Sequence, residues 1–95
     1  VDGVKGRVPT EKELAKVSRL VGFDFQLLGA ELGVDNVKIQ HTIMNHQYDA
    51  QSQIFHVLLL WKQKDGRNAT VGKLMDALRD RNVDLVKVKE IFDVS

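Results

Sequence analysis

The side chains of this chain with chemical potential are its three histidines, its three serines, several paired carboxylates and one Gly-Lys step. His41 and His46 stand five apart, about 140° around a helix of ~3.6 residues per turn, so on one helix they diverge. A zinc pair on a helix needs i, i+4 spacing and a further ligand. The histidines, with His56, therefore read as surface or cap residues, and no metal site is expected. Ser18, Ser52 and Ser95 lie in helical or terminal settings without the glycine elbow of a nucleophile. Val71-Gly72-Lys73 lacks the upstream glycine of a phosphate-binding loop. The carboxylate pairs Glu11/Glu13 and Asp76/Asp80 fall on polar faces, where solvation is the expected state. Asn68-Ala69-Thr70 matches the N-glycosylation pattern, but Asn68 or Thr70 serves equally as a helix cap, and capping is the preferred role. No catalytic or cofactor-binding residue is assigned, and no enzyme activity is expected.

The elements that carry these side chains belong to one small domain. The chain has 95 residues, against ~100–150 for an ordinary domain. Its 43% apolar and 28% charged content is that of a globular protein, away from the disordered regime. The chain has no cysteine, which excludes a disulfide framework and thiolate metal ligands and fits a reducing, cytoplasmic compartment. The longest apolar run, Val57 to Trp61, falls far short of the ~20 residues that cross a bilayer, so no membrane insertion is expected. No charged-then-apolar signal segment opens the chain, and a start at valine suggests a piece of something longer. The net charge is +1, with 14 basic and 13 acidic residues interspersed. A dedicated nucleic-acid binder carries a clustered basic surface instead.

Helical signals dominate. Residues 1–8 hold two glycines and little periodicity, and are expected to be a frayed leader to a domain spanning 9–95. Pro9 and the capping box Thr10-Glu11-Lys12-Glu13 open a first helix, with Leu14, Val17 and Val21 on one stripe and Gly22 as its end. A second helix starts near Asp24, buries Phe25, Leu28 and Leu32, and stops at Gly33. Asp35 caps a third helix with Ile39 and Ile43 inward. Tyr48-Asp49 precede a longer fourth helix with Ile54, Val57, Leu58 and Trp61 inward. Its additional apolar residues, Phe55, Leu59 and Leu60, point to a central position rather than an exposed patch. Asp65-Gly66 break that helix. A fifth begins at Thr70 and carries Val71, Leu74 and Leu78 on one face. Asp84 caps a sixth, with Leu85, Val88 and Phe92 at i, i+3, i+7. No stretch alternates apolar and polar residues, so no sheet is expected. Short connections predict that sequential helices pack mostly antiparallel.

Taken in order, Phe-x-x-Leu-Gly-x-x-Leu-Gly-Val at 25–34, then Asp35 and Ile39, then Leu60-Trp61-Lys62, then Asn68-Ala69-Thr70-Val71 with Leu74 and Ala77-Leu78-Arg79, the chain resembles a death domain over about residues 10–93. The stretch from Trp61 to Arg79 is most similar to the Fas-associated death-domain adaptor family. Phe25 stands where the family often has tryptophan, and Ile43 rather than residue 42 carries the second apolar position of the third helix.

The resemblance implies an all-α, six-helix antiparallel Greek-key bundle. It also implies an adaptor that binds another death domain in apoptotic or innate-immune signalling upstream of an initiator caspase. In an arthropod-type version the implied partner is the death domain of the immune-deficiency pathway adaptor. Such partners meet through charged surfaces that give fast, selective, salt-sensitive association. Asp24, Glu31 and Asp35 are candidates for an acidic patch. Lys73, Arg79, Arg81 and Lys87 are candidates for a basic patch on another face, an arrangement that permits head-to-tail homo- or hetero-oligomers. Arg79 and Arg81 lead the list, because arginine is favoured in desolvated contacts. The alternative is a small helical nucleic-acid binder, for which the third helix, with Asp35, Lys38 and neutral polar residues, offers no basic reading face.

Overall fold

The structure, a computed structural model, describes residues 6–22, 25–79, 81 and 83–93. Capping chemistry decides where its helices begin. Thr10 Oγ1 accepts the Glu13 N–H at 3.2 Å while Glu13 Oε1 accepts the Thr10 N–H at 2.9 Å, and α1 runs Glu11–Ser18. Asp35 Oδ1 accepts the Val37 N–H to start α3, Asn36–Asn45. Asp49 accepts both the N–H and the hydroxyl of Ser52 at the head of α4, Ala50–Asp65. The Ser52 hydroxyl bond, with the backbone bonds behind it, holds the Asp49 carboxyl below its ordinary 3.8. Thr70 Oγ1 accepts the Lys73 N–H before α5, Val71–Arg79, so Thr70 rather than Asn68 is the cap. Asp84 Oδ1 does the same for α6, Leu85–Asp93, through Val86.

The ends are equally specific. Helix α2, Phe25–Glu31, closes with Gly33 at φ +85°, its N–H bonded to Ala30 O and the Val34 N–H to Gly29 O. This pair of bonds satisfies the last carbonyls only when the residue beyond the cap is left-handed, a conformation glycine adopts without strain. Helix α4 gives way at Gly66 to a 3-10 turn, Gly66–Asn68. The sequence places the end of α1 at Gly22, but α1 stops at Ser18. The Ser18 hydroxyl donates to Ala15 O at 2.6 Å, and the Arg19 and Leu20 amides form short-range bonds that tighten the last turn. Val21 is nonetheless buried.

Trp61, Leu58, Leu14, Val17, Leu74 and Leu78 are fully enclosed, and Val88 and Phe92 close the core from α6. All four inward residues expected on α4 are buried, and Phe55, Leu59 and Leu60 pack half-buried against the same core. The central position of α4 follows: it packs on α1, α2 and α3, most extensively on α1. Sequence neighbours pack at α2/α3, α3/α4 and α5/α6, while α1 reaches across to α4 and α6, and α2 to α5. The result is a six-helix Greek-key bundle with no strand among the described residues. Gly29 allows the close approach of α2: a Cβ there would lie 2.9 Å from Ile39 Cδ1 and 3.0 Å from Val57 Cγ1. On α3 the inner face is rotated from the expected one. Thr42 is buried, its hydroxyl satisfied by donating to Lys38 O at 2.9 Å, and Ile43 is half-buried beside it.

The two ends of the described chain are joined. Arg7, within the expected leader, donates from both Nη atoms to Glu13 at 2.7 and 2.6 Å, and from Nη2 to Phe92 O at 3.0 Å. The Val71 N–H bonds to Arg7 O, and the guanidinium lies 5.8 Å from the Phe92 ring centre. The hydrogen bonds to Glu13 raise the Arg7 pKa, so its charge persists at any ordinary pH. Residues 1–5 of that leader lie outside the described residues, as do Asp24, Asp80 and Ser95.

Candidate partner-binding groove

A recess of about 480 Å³ opens where the C-terminal ends of α2 and α4 meet α5. Leu32 and Ala77, with Trp61 beneath, make its apolar floor. Glu31, Asp65, Lys73 and Asp76 make its rim. Local structure puts each in place. The Gly33 closure ends α2 just beyond Glu31, Asp65 is the last residue of α4, and the Thr70 cap sets Lys73 in the first turn of α5 with Asp76 a turn further on.

Every rim carboxylate already holds a cation. Glu31 is paired with Arg81, Asp65 with Lys64 at 2.8 Å, and Asp76 with Arg79 at 3.5 Å. The Lys64 hydrogen bond holds the Asp65 carboxyl below its ordinary 3.8, with smaller contributions from Lys73 and the Trp61 side chain. Lys73 is exposed and makes no ion pair among the described residues.

Four of the seven residues singled out in the sequence therefore converge on this groove: Glu31 and Lys73 on its rim, Arg81 and Arg79 behind it through Glu31 and Asp76. The expected separation into an acidic face and a basic face does not hold at Glu31 and Arg81, which neutralise each other across 50 residues of chain. Arg81 is 12% exposed at its side chain and Arg79 61%, so of the two leading arginines Arg79 is the more open to a partner. Asp35, occupied as the α3 cap, and Lys87, exposed on α6, do not line the groove. Asp24 lies outside the described residues.

Two features were not read from the sequence. Asp65 and Asp76, seen there as a helix breaker and a solvated carboxylate, are rim residues. The outer face of α3 exposes Val37, Met44 and, in the turn after it, Tyr48 at 99%. The i, i+7 spacing of Val37 and Met44 carries that signal, since it marks a second stripe on a helix whose first stripe is already buried. The histidines form no ligand set: no group of three or more His, Cys, Asp or Glu able to hold a metal ion occurs among the described residues. His46 ends α3 and its ring stacks on His56 at 4.2 Å, while His56 Nδ1–H donates to Ser52 O. No helix among the described residues is long and apolar enough to cross a membrane.

Residues 11–91 match the family model described as Death domain. The chain belongs to the death domain family. This death domain is also similar to the FAS-associated death domain protein of Bos taurus, 29% identical over 85 residues that cover 85% of this chain and 41% of that protein. The chain thus spans less than half the length of that relative. Death domains are non-enzymatic interaction modules, and a shallow rim of matched ion pairs around an apolar floor suits contact with another protein surface.

Proposed function

We propose that this death domain is the recruiting module of a cytoplasmic adaptor. It binds the death domain of a receptor or of another adaptor and assembles an apoptotic or innate-immune signalling complex upstream of an initiator caspase. The observation that carries this reading is the family match over residues 11–91, and the similarity to the FAS-associated death domain protein gives it direction. The convergence of charged candidates on one groove supplies a surface of the right chemistry: charge complementarity sets which partner is accepted and how fast it arrives, more than raw affinity.

Light scattering on the purified domain, alone and mixed with individual death domains at low and high salt, tests the proposal. Receptor death domains and the death domain of the immune-deficiency pathway adaptor head the panel. The expected result is a complex with one of them that weakens as salt rises, and weakens further with Arg79→Glu or Arg81→Glu while the fold stays intact. A monomer that ignores every death domain but shifts on adding duplex DNA would overturn the adaptor reading in favour of nucleic-acid binding.

A further inference from the structure

We infer that the groove between α2, α4 and α5 receives a carboxylate-bearing side chain of the partner death domain, with Lys73 as its counter-ion. This rests on the interaction reading above and deepens it, by fixing the face used and the chemistry of what enters.

The charge arrangement decides the sign of the occupant. Glu31, Asp65 and Asp76 are each matched, by Arg81, Lys64 and Arg79. Lys73 is the rim charge with no ion pair among the described residues. An incoming ammonium or guanidinium meets three carboxylates that already hold cations, and adds to the charge of Lys73. An incoming carboxylate meets one ammonium that makes no ion pair among the described residues and acts on Asp65 only weakly beside Lys64. The first turn of α5, where Lys73 sits, favours negative charge as well, because the helix dipole places its positive end there. Leu32 and Ala77 line the same recess as Lys73, so an acidic residue with an apolar neighbour fits both parts of the surface. Entry removes water from the new pair, which strengthens it relative to a fully solvated one.

The position of the unmatched charge also gives two substitutions opposite effects. Lys73→Glu lowers affinity for the partner death domain by about 100-fold, as expected for reversing one member of a desolvated charge pair. Lys73→Arg keeps most of it. Asp76→Lys, at a side chain 72% exposed, raises affinity, because it adds a cation to the rim and releases Arg79. A basic occupant would reverse both signs. The experiment is a titration of each variant with the partner death domain found by light scattering, at two salt concentrations, with circular dichroism and urea unfolding to show that each variant is folded. Tyr48→Asp serves as the control on the outer face of α3.

Loss with Lys73→Glu together with gain with Asp76→Lys supports the inference. A folded Lys73→Glu protein that binds normally, or an Asp76→Lys protein that binds more weakly, overturns it while leaving the adaptor reading standing. A complex broken by Tyr48→Asp alone overturns it in favour of α3. Absence of binding to any death domain overturns the adaptor reading, and this inference with it.

Discussion

Two arginine–glutamate pairs in this domain look alike and have different consequences. Arg7 and Glu13 are six residues apart, Glu13 is 4% exposed, and the same carboxylate also closes the capping box of α1. Arg81 and Glu31 are 50 residues apart, and Glu31 is 37% exposed on the wall of the groove. The first pair is embedded among further partners: Arg7 reaches Phe92 O, and its own carbonyl accepts the Val71 N–H. Arg7 is 30% exposed and Glu13 4%, so removing Arg7 strands a carboxylate with little access to water. In the second the carboxylate borders solvent, where water and ions replace a lost Arg81 cheaply. Burial, more than the chemistry of the pair, separates an interaction that holds the fold from one that a binding partner can rearrange.

The largest expected effect follows from that difference. Arg7→Ala, which leaves the enclosed Glu13 carboxylate without its cation, should destabilise the domain by about 3–5 kcal/mol, the usual cost of breaking a buried pair. Set against the ~5–15 kcal/mol total stability of a small domain, this is a large downward shift of the urea midpoint. Arg81→Ala, which leaves Glu31 at the solvent, should cost about 1 kcal/mol or less for the lost pair in the same measurement, as exposed carboxylates do. Equal costs for the two variants would break the comparison.

Acid gives a smaller, graded effect. Asp49 and Asp65 both have folded pKa values below the ordinary 3.8, through Ser52 and Lys64 respectively. A carboxyl whose pKa is lowered on folding adds stability that is fully present above its unfolded pKa and lost as pH falls through the folded one. The urea midpoint should therefore decline below about pH 4, and Asp49→Asn should flatten part of that decline. An unchanged acid profile in Asp49→Asn would show that the cap titrates without consequence for folding. The smallest effect belongs to the exposed Asp76–Arg79 pair, three residues apart on α5: Asp76→Ala should change stability by about 0.3 kcal/mol or less. Its consequence for binding is expected to exceed its consequence for folding.

What the sequence reveals of this architecture is what is local. Thr10 with Glu13, Asp35, Thr70 and Asp84 cap the helices expected of them, and Asp49, expected only to precede its helix, caps it too, since a cap needs only a side chain and an amide two or three residues on. The inward stripes of α4 and α5 follow from helical period in the same way. Departures appear where tertiary contacts intervene. Thr42 takes an inner position because its hydroxyl can turn back to Lys38 O, which removes the cost of burying it. Arg7 reads as part of a leader because one of its partners is Phe92, 85 residues away. The groove was half legible: four of its charges stood out as charges. Their mutual neutralisation, which leaves Lys73 without an ion pair among the described residues, depends on pairs such as Glu31–Arg81 that no spacing rule connects.

The most direct test of the account measures binding and unfolding on one protein, Lys73→Glu. The expected result is an unfolding midpoint within error of the unmodified domain, because Lys73 is exposed and outside the core, together with loss of the salt-sensitive complex with a death-domain partner. A Lys73→Glu domain that binds that partner as tightly as the unmodified one would contradict it.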